Sequence, residues 1–231
     1  MTAHLNRELN LEAGEMFLVN KPHDWTSFDV VSKMRAIFHF ERIGHAGTLD
    51  RNASGLMIVC TGKKTKELFG FQELEKEYVL TMRLGERTES FDAETPVIET
   101  KDVNALTEGD VRSLIAKFVG VQNQLPPMWS AAKVSGKRLY KYARTGAAVE
   151  RRPREVVVKQ IDVTDIAFPD VEVTVACSKG TYVRTLVNDI GLALGVGAHV
   201  VALRRTRIGN FRIADALTID DLILYRKVHR D

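Results

Sequence analysis

The apolar residues of the chain follow two spacings, one typical of strands and one typical of helices. Residues 76–85 and 171–177 alternate apolar and polar side chains, which predicts strands. Residues 156–168 predict a longer strand whose alternation slips once near Gln160. The break at Pro169-Asp170 then predicts an antiparallel hairpin. Further strands are predicted at residues 15–20, 56–60 and 203–213.

Helices are predicted where apolar residues recur every three or four positions. Thr26 with Asp29, and Thr107 with Asp110, match the capping box that begins a helix. Other helices are predicted at residues 62–69 and 181–194, and a last short one from Thr218. Strands and helices are mixed along the chain, without the strict alternation of a βαβ fold. The pattern therefore favours an α+β fold with a mixed, largely antiparallel central sheet flanked by helices.

Length and composition set the class of protein. The chain has 231 residues, of which 45% are apolar, enough for one large core or two small ones. We expect one continuous domain over residues 1–231. No apolar run reaches the ~18 residues of a membrane helix, and residues 1–10 lack the apolar core of a signal peptide. The expected location is the cytoplasm, with no membrane partner.

The sequence predicts neither a metal nor a nucleotide cofactor. Cys60 and Cys177 lie in strand-like apolar runs and are expected to be reduced and buried. No cluster of cysteine and histidine could bind zinc. The glycines at positions 55 and 62 are too far apart for a phosphate-binding loop, and Lys63 is followed by another lysine.

Charge is unevenly distributed, although the net charge is only +3. Between positions 133 and 159 there are nine lysines and arginines against two acids. Between positions 86 and 110 there are eight acids against two cations. Such asymmetry indicates a polyanionic partner, although a solvated charged surface gives the same pattern.

Asp50 ends the run Gly-His-Ala-Gly-Thr-Leu-Asp, which begins at position 44. Two glycines allow a sharp turn and a close approach to a ligand, and the strand predicted just after it would hold the turn rigidly. A carboxylate held in this way suits a nucleophile or a base. The alternative is an aspartate that caps its own turn.

Two other segments have candidate functional residues. The Pro-rich loop at 124–131 is followed by cations interleaved with aromatic residues, a pattern that suits RNA; the alternative is a helix whose tyrosines pack inward. Arg184 is expected in the first turn of a helix, where the helix dipole disfavours a cation. A buried carboxylate such as Asp50 would hold it there, although an ordinary surface arginine fits the spacing too.

Together these segments resemble the bacterial TruB family, the tRNA pseudouridine synthases that act on uridine 55 of the T arm. The resemblance covers nearly the whole chain, with the motifs in the family's order. The matching motifs are Lys21-Pro22 with Thr26-Ser27-Phe28-Asp29, Gly44 to Asp50, Lys76-Glu77-Tyr78, residues 124–146, and Cys177 to Arg184 with Gly197-Ala198-His199 and Leu203-Arg204-Arg205.

The resemblance implies a role for each matching residue. Asp50 would be the nucleophile, Tyr78 would stack on the target base and assist removal of its C5 proton, and Arg184 would pair with Asp50. The substrate-binding set would be His45, Lys21, Pro22, Tyr182 and Leu203, together with the RNA-binding cations Lys137, Arg138 and Lys141. His45 would keep the T loop open, Leu203 would form a wall of the base pocket, and Tyr182 would contact the uracil. Lys21 and Pro22 would support the tyrosine side of the pocket.

The implied reaction is an isomerisation, so it requires no cofactor. The base leaves the stack, detaches, turns and rejoins through C5. The carboxylate either attacks the nucleotide or drives formation of a glycal intermediate, and the sequence leaves both routes open. The implied partner is the T arm of tRNA, with no required protein partner and a monomeric state. Two alternatives are an RNA chaperone that refolds tRNA without chemistry and a synthase for another RNA.

Three residues differ from those usual in the family. Arg51 stands where proline is usual, Asp24 where glycine is usual, and Trp129 where tyrosine is usual. Arg51 adds a charge that could meet a phosphate or the carboxylate. The C-terminal segment after Ile208 is too short for the PUA domain of many relatives, so none is expected.

Overall fold

The computed structural model describes residues 9–10, 13–147 and 149–228. Its strands are β1 (Met16–Lys21), β2 (Ile43–His45), β3 (Ala53–Thr61), β4 (Lys76–Leu84), β5 (Glu86–Thr88), β6 (Val97–Thr100), β7 (Gly120–Gln124), β8 (Lys133–Val134), β9 (Lys137–Arg138), β10 (Arg154–Ala167), β11 (Asp170–Cys177), β12 (Ala198–Ile208) and β13 (Phe211–Arg212). Its α-helices are α1 (Ser27–Phe38), α2 (Leu68–Glu73), α3 (Glu108–Ala116), α4 (Leu139–Ala143), α5 (Val183–Ala193) and α6 (Ile219–Val228).

The chain folds into two compact units. The first comprises Met1–Tyr78 and Arg204–Asp231, and the second comprises Val79–Leu203. The division falls inside β4 and β12, so each of these strands has residues in both units. The expectation of one continuous catalytic domain stays a prediction.

The first unit is built around β3, whose residues are almost all buried. β1 and β2 both pair with β3 in antiparallel register, and β13 pairs with the end of β12. One apolar cluster joins Leu56, Ile58 and Cys60 of β3 to Ile208. A second cluster is aromatic and consists of Phe17, Phe38, Phe40 and Tyr225. Glycine is required at position 55, where φ is +109° and a Cβ would collide with the backbone of Arg205.

The second unit contains the long hairpin of β10 and β11, with β7 pairing antiparallel to the outer side of β10. β4 pairs with the edge of β11 that faces away from β10. The buried face of α5 includes Leu186, Val187 and Ile190, and α3 buries Val111 and Ile115. Both units thus combine antiparallel strands with helices, which confirms the α+β prediction.

The elements predicted from local signals are confirmed. Thr26 and Asp29 exchange the two hydrogen bonds of a capping box at the start of α1, and Thr107 and Asp110 do so at the start of α3. The strand register shifts between Val158 and Gln160, at the predicted slip. Cys60 and Cys177 are buried and free of disulfides, as expected.

Two predicted elements differ in the structure. Residues 62–69 were expected to be one helix, but Gly62–Glu67 forms a 3₁₀ turn without a side-chain cap and α2 begins only at Leu68. The strand expected at 203–213 begins earlier, at Ala198, and is interrupted by a turn after Ile208. Gly209 has φ +53°, so the backbone reverses there before the short β13.

Candidate active site

Asp50 is the first residue of a tight turn, the Asp50 turn, which spans residues 50–53. The backbone carbonyl of Asp50 accepts a hydrogen bond from the amide of Ala53 at 3.1 Å, and β3 begins at Ala53. Asp50 itself is half-buried. The strand after the turn is the one expected from the sequence, and it anchors the end of the turn that follows Asp50.

The residue before Asp50 is held by the first residue of α1. The Ser27 hydroxyl donates to the carbonyl of Leu49 at 3.1 Å and accepts from the amide of Leu49 at 2.8 Å. Ser27 and Leu49 are both buried. The capping box at Thr26 therefore sets the start of α1 and, with it, the backbone next to Asp50.

The residue after Asp50 is held by Lys21, which is fully buried. Its ammonium donates to the carbonyls of Pro22 at 2.9 Å, Trp25 at 2.5 Å and Arg51 at 3.3 Å. Three N–H donors thus meet three carbonyl acceptors, an arrangement that we call the lysine clasp. The Asp50 carboxylate is also close enough to raise the pKa of Lys21, although burial dominates and lowers it to about 8. The structure therefore brings Lys21, Pro22 and Asp50 together.

The stability of the protein is expected to rise with pH above about 8 through Lys21. The pKa of Lys21 falls from 10.5 in the unfolded chain to about 8 in the folded protein. Between these values the unfolded state binds more protons, so raising the pH disfavours unfolding. The cost of burying the charge, roughly 3 kcal/mol at most, is fully present below the folded pKa.

Urea unfolding of the protein and of Lys21→Met, followed from about pH 7 to pH 10, checks this expectation. The protein should gain stability relative to the variant, which has no titrating group at position 21. Burial raises the pKa of the Cys60 thiol to about 11, and this lowers the stability of both proteins alike as the pH rises above about 9. An equal rise in both would show that another group causes it.

His45 is part of the Gly-rich run, and Arg205 of β12 contacts that run at Gly47. Arg205 is only 1% exposed, and its guanidinium donates to the carbonyls of Leu56 at 2.7 Å and Gly47 at 3.2 Å. His45 ends β2. Burial and then the Arg205 charge lower the pKa of His45, against a backbone contact with Gly47 that raises it. The imidazole is therefore neutral at physiological pH and can accept a hydrogen bond as well as donate one.

Arg184 is the second residue of α5, in the first turn as predicted, and is 3% exposed. Its guanidinium donates to the carbonyls of Ser90 at 2.7 Å and Trp129 at 2.8 Å. It also lies 3.4 Å from the carboxylate of Asp92, which is buried too. A buried carboxylate was expected to hold Arg184 at the helix start, and in the structure Asp92 is such a carboxylate. The pairing of Arg184 with Asp50, which lies in the other unit, stays a prediction.

The other residues expected to line the pocket are divided between the units, with Tyr78 in the first and Tyr182 and Leu203 in the second. Tyr182 is the N-cap residue of α5 but forms no side-chain capping bond. Its amide donates to the side-chain oxygen of Gln124 at 2.9 Å, and its carbonyl accepts from the side-chain nitrogen of Gln124 at 3.3 Å. Leu203 is half-buried on β12, and Tyr78 is half-buried on β4. The common pocket expected for these residues stays a prediction.

The basic segment between positions 133 and 144 folds as a small hairpin followed by α4. Lys137, Arg138 and Lys141 are exposed. Tyr142 bonds the carbonyl of Val134 through its hydroxyl, and the ammonium of Lys137 lies 4.4 Å from its ring centre. Local packing therefore occupies part of the aromatic surface, while the three cations remain accessible to a polyanion.

Several residues of the site were not predicted from the sequence. Ser27 was predicted only as part of a helix start, whereas Asp92, Gln124 and Arg205 received no role of their own. Only Arg205 could have been found from the sequence. It lies two residues after Leu203 on a predicted strand, so the two side chains share one face. The partners of Asp92 and Gln124 lie 92 and 58 residues away in sequence, beyond any local pattern.

Residues 9–10, 13–147 and 149–228 offer neither a metal cluster nor a membrane-spanning helix. Among these residues, no group of three or more histidine, cysteine, aspartate or glutamate side chains could hold a metal ion. In the same part of the chain, no helix has the length and apolarity that crossing a bilayer requires.

Two family models match adjoining parts of the chain. Residues 35–183 match the TruB family pseudouridylate synthase N-terminal domain. Residues 184–230 match the tRNA pseudouridylate synthase B C-terminal domain. The first model alone covers more than half of the chain, and it includes Asp50, Tyr78 and Tyr182.

Curated relatives named tRNA pseudouridine synthase B are similar over most of the chain. The protein of Opitutus terrae is 48% identical over 209 residues, which is 90% of this chain and 87% of that protein. The protein of Chlorobium luteolum is 45% identical over 215 residues, 91% of this chain and 74% of that protein. The protein of Phocaeicola vulgatus is 42% identical over 220 residues, 92% and 93% of the two chains.

Two solved structures with a similar fold are complexes that contain Cbf5 and Nop10. A chain of an archaeal box H/ACA sRNP Nop10-Cbf5 complex superimposes with a TM-score of 0.73 at 28% identity, covering 98% of this chain. A chain of a Cbf5-Nop10-Gar1 complex gives 0.74 at 33% identity, covering 93%. The present chain spans only 58% and 55% of those two chains.

Proposed function

Because the chain belongs to the TruB family of pseudouridylate synthases, we propose that it converts uridine 55 in the T arm of tRNA to pseudouridine. The observation that carries the proposal is the backbone held on both sides of Asp50. Ser27 holds Leu49, and Lys21 holds Arg51. A carboxylate placed in this way keeps one orientation toward a bound nucleotide.

Asp50 acts as the nucleophile in this proposal. During the isomerisation the bond from C1′ of the ribose to N1 of uracil breaks, and a bond from C1′ to C5 forms. The hydrogen on C5 is lost, and N1 gains one, so atoms and electrons balance without a cofactor. A charged carboxylate is required whether it adds to the nucleotide or drives a glycal route.

Tyr78 and Arg184 assist the reaction. The target base must leave the helical stack to reach an enzyme group, and Tyr78 stacks on the flipped base and assists removal of the C5 proton. Arg184 pairs with Asp50 and fixes the orientation of its carboxylate. Leu203 forms a wall of the uracil pocket, and Tyr182 contacts the uracil. An apolar wall excludes water and keeps the detached base from escaping. His45 holds the T loop open, while Lys21 and Pro22 support the tyrosine side of the pocket.

The exposed cations of the basic segment supply affinity for RNA without sequence preference. Changing Lys137, Arg138 and Lys141 together to alanine is expected to weaken tRNA binding and to flatten its salt dependence. Each lost phosphate contact on duplex-like RNA should reduce the log-log slope by roughly 0.9. Equilibrium binding at several salt concentrations measures the slope.

An exposed triplet elsewhere provides the control for that experiment. Lys33, Arg35 and Lys66 are also exposed cations, and their replacement by alanine removes the same total charge. If both triple variants change the slope equally, net charge alone governs binding. An unchanged slope in the first variant would mean that the basic segment faces away from RNA.

Pseudouridine mapping of tRNA after incubation with the purified protein tests the proposed function. Product at uridine 55 supports it. Binding and refolding of tRNA without product would identify an RNA chaperone, and product only in other RNAs would identify a different synthase. A T arm in which cytidine replaces the target uridine should bind but give no product, which controls for modification elsewhere.

A further inference from the structure

We propose that Arg51 is a positioning residue, which holds the Asp50 turn against residues 21–25 through the hydrogen bond from its Nε to the carbonyl of Asp24. That bond measures 3.1 Å. The role in the reaction rests on the proposed function, whereas the mechanical role within the turn does not.

The position of Arg51 in the turn shows why a constraint is needed. Arg51 and Asn52 are the two central residues of the Asp50 turn. Proline is favoured at the first central position because its ring fixes φ in advance. An arginine backbone has more freedom in that place, so the turn at Asp50 would be looser unless another contact limited it.

The side chain of Arg51 supplies that contact. Lys21 donates to the carbonyl of Arg51, and Arg51 in return donates to the carbonyl of Asp24. The two hydrogen bonds run in opposite directions between the same two segments and together prevent them from sliding past each other. Asp24 has φ 64°, a left-handed conformation that aspartate tolerates better than most residues. The carbonyl of Asp24 in this conformation is the one that Arg51 reaches.

The exposure of Arg51 separates this role from a contribution to global stability. Arg51 is exposed, so shortening its side chain uncovers little apolar surface, and water can solvate the Asp24 carbonyl in its place. Shortening Arg51 should therefore make the turn more mobile and the orientation of the Asp50 carboxylate less fixed, with little change in global stability. Misorientation of a reacting group lowers the rate of the chemical step while substrate binding stays intact.

Two substitutions of matched length isolate the hydrogen bond from the charge. In Arg51→Met a methyl group takes the place of Nε. In Arg51→Gln an amide nitrogen takes that place, which keeps a donor but removes the charge. Arg35→Met removes an exposed arginine from α1 and serves as the control. Each protein is measured by single-turnover kinetics, equilibrium tRNA binding, thermal unfolding, and hydrogen exchange of the amides at residues 49–53.

We expect Arg51→Met to lower the single-turnover rate about tenfold, which corresponds to the loss of one hydrogen bond. Amide exchange in residues 49–53 should become faster, with tRNA affinity and melting temperature near those of the control. Arg51→Gln should recover most of the rate and of the protection from exchange. A normal rate and normal exchange in Arg51→Met would overturn the proposal.

Other outcomes separate a phosphate contact from a positioning role. If Arg51→Gln is as slow as Arg51→Met, or if both variants lose affinity for tRNA, the charge of Arg51 matters and the positioning role is wrong. Hydrogen exchange requires no RNA. If the unmodified protein forms no pseudouridine, the proposed function fails, while the exchange data still decide whether Arg51 holds the turn.

Discussion

Replacing Asp50 by asparagine is expected to abolish pseudouridine formation while tRNA binding stays nearly normal. The amide has almost the same shape as the carboxylate but cannot act as a nucleophile, so the rate should fall by roughly 10⁴-fold or more. The neighbours of Asp50 are held through Leu49 and Arg51, so the fold should not change. Pseudouridine formation and tRNA affinity are to be measured on the same preparation.

A matched substitution controls for the loss of one negative charge. Asp220 is an exposed aspartate in the first turn of α6, and Asp220→Asn should leave both the rate and the affinity unchanged. Appreciable turnover by Asp50→Asn would exclude Asp50 as the nucleophile.

Replacing Arg184 by lysine is expected to have a large effect although the positive charge is kept. The guanidinium reaches two backbone carbonyls and the Asp92 carboxylate from one planar group. An ammonium cannot serve acceptors spread in this way with the same geometry. If Arg184 also orients Asp50, as proposed, the single-turnover rate should fall about 100-fold with tRNA affinity retained.

Replacing Arg184 by methionine separates the structural part of this effect. Asp92 would then be buried without a cation, and the free energy of unfolding should fall by about 3–5 kcal/mol. The double variant Arg184→Met, Asp92→Leu should recover part of that loss, because no uncompensated charge remains. Urea unfolding measures both. A near-normal single-turnover rate for Arg184→Lys would remove the pairing with Asp50 from the mechanism.

The sequence predicted those elements whose signals lie within a few residues. The capping boxes at Thr26 and Thr107 were predicted because the donor and acceptor are three positions apart. The bulge near Gln160 was predicted because it interrupts an alternation of side chains. The short strands β2, β5, β6, β8 and β9 have too few residues for a period to be recognised, and they form only where the chain finds a partner strand.

The candidate site was predicted unevenly for the same reason. Sequence motifs indicated Asp50, Lys21 and Arg184 as candidate site residues. Arg184 was correctly predicted to lie in the first turn of a helix, which is α5. Their partners could not be predicted, since the carbonyl of Trp129 lies 55 residues from Arg184 and that of Leu56 lies 149 residues from Arg205. Backbone acceptors leave no trace in the side-chain pattern.

The lysine clasp has a consequence for how this region tolerates mutation. A hydrogen bond to a carbonyl does not depend on which side chain that residue has. The residues at positions 22, 25 and 51, whose carbonyls meet Lys21, can therefore be exchanged without loss of an acceptor, provided that the backbone path is kept. Lys21 has no such freedom, because shortening it would leave three acceptors without their donor. The clasp should therefore keep its acceptors when positions 22, 25 and 51 are substituted, whereas any substitution of Lys21 removes the donor for all three.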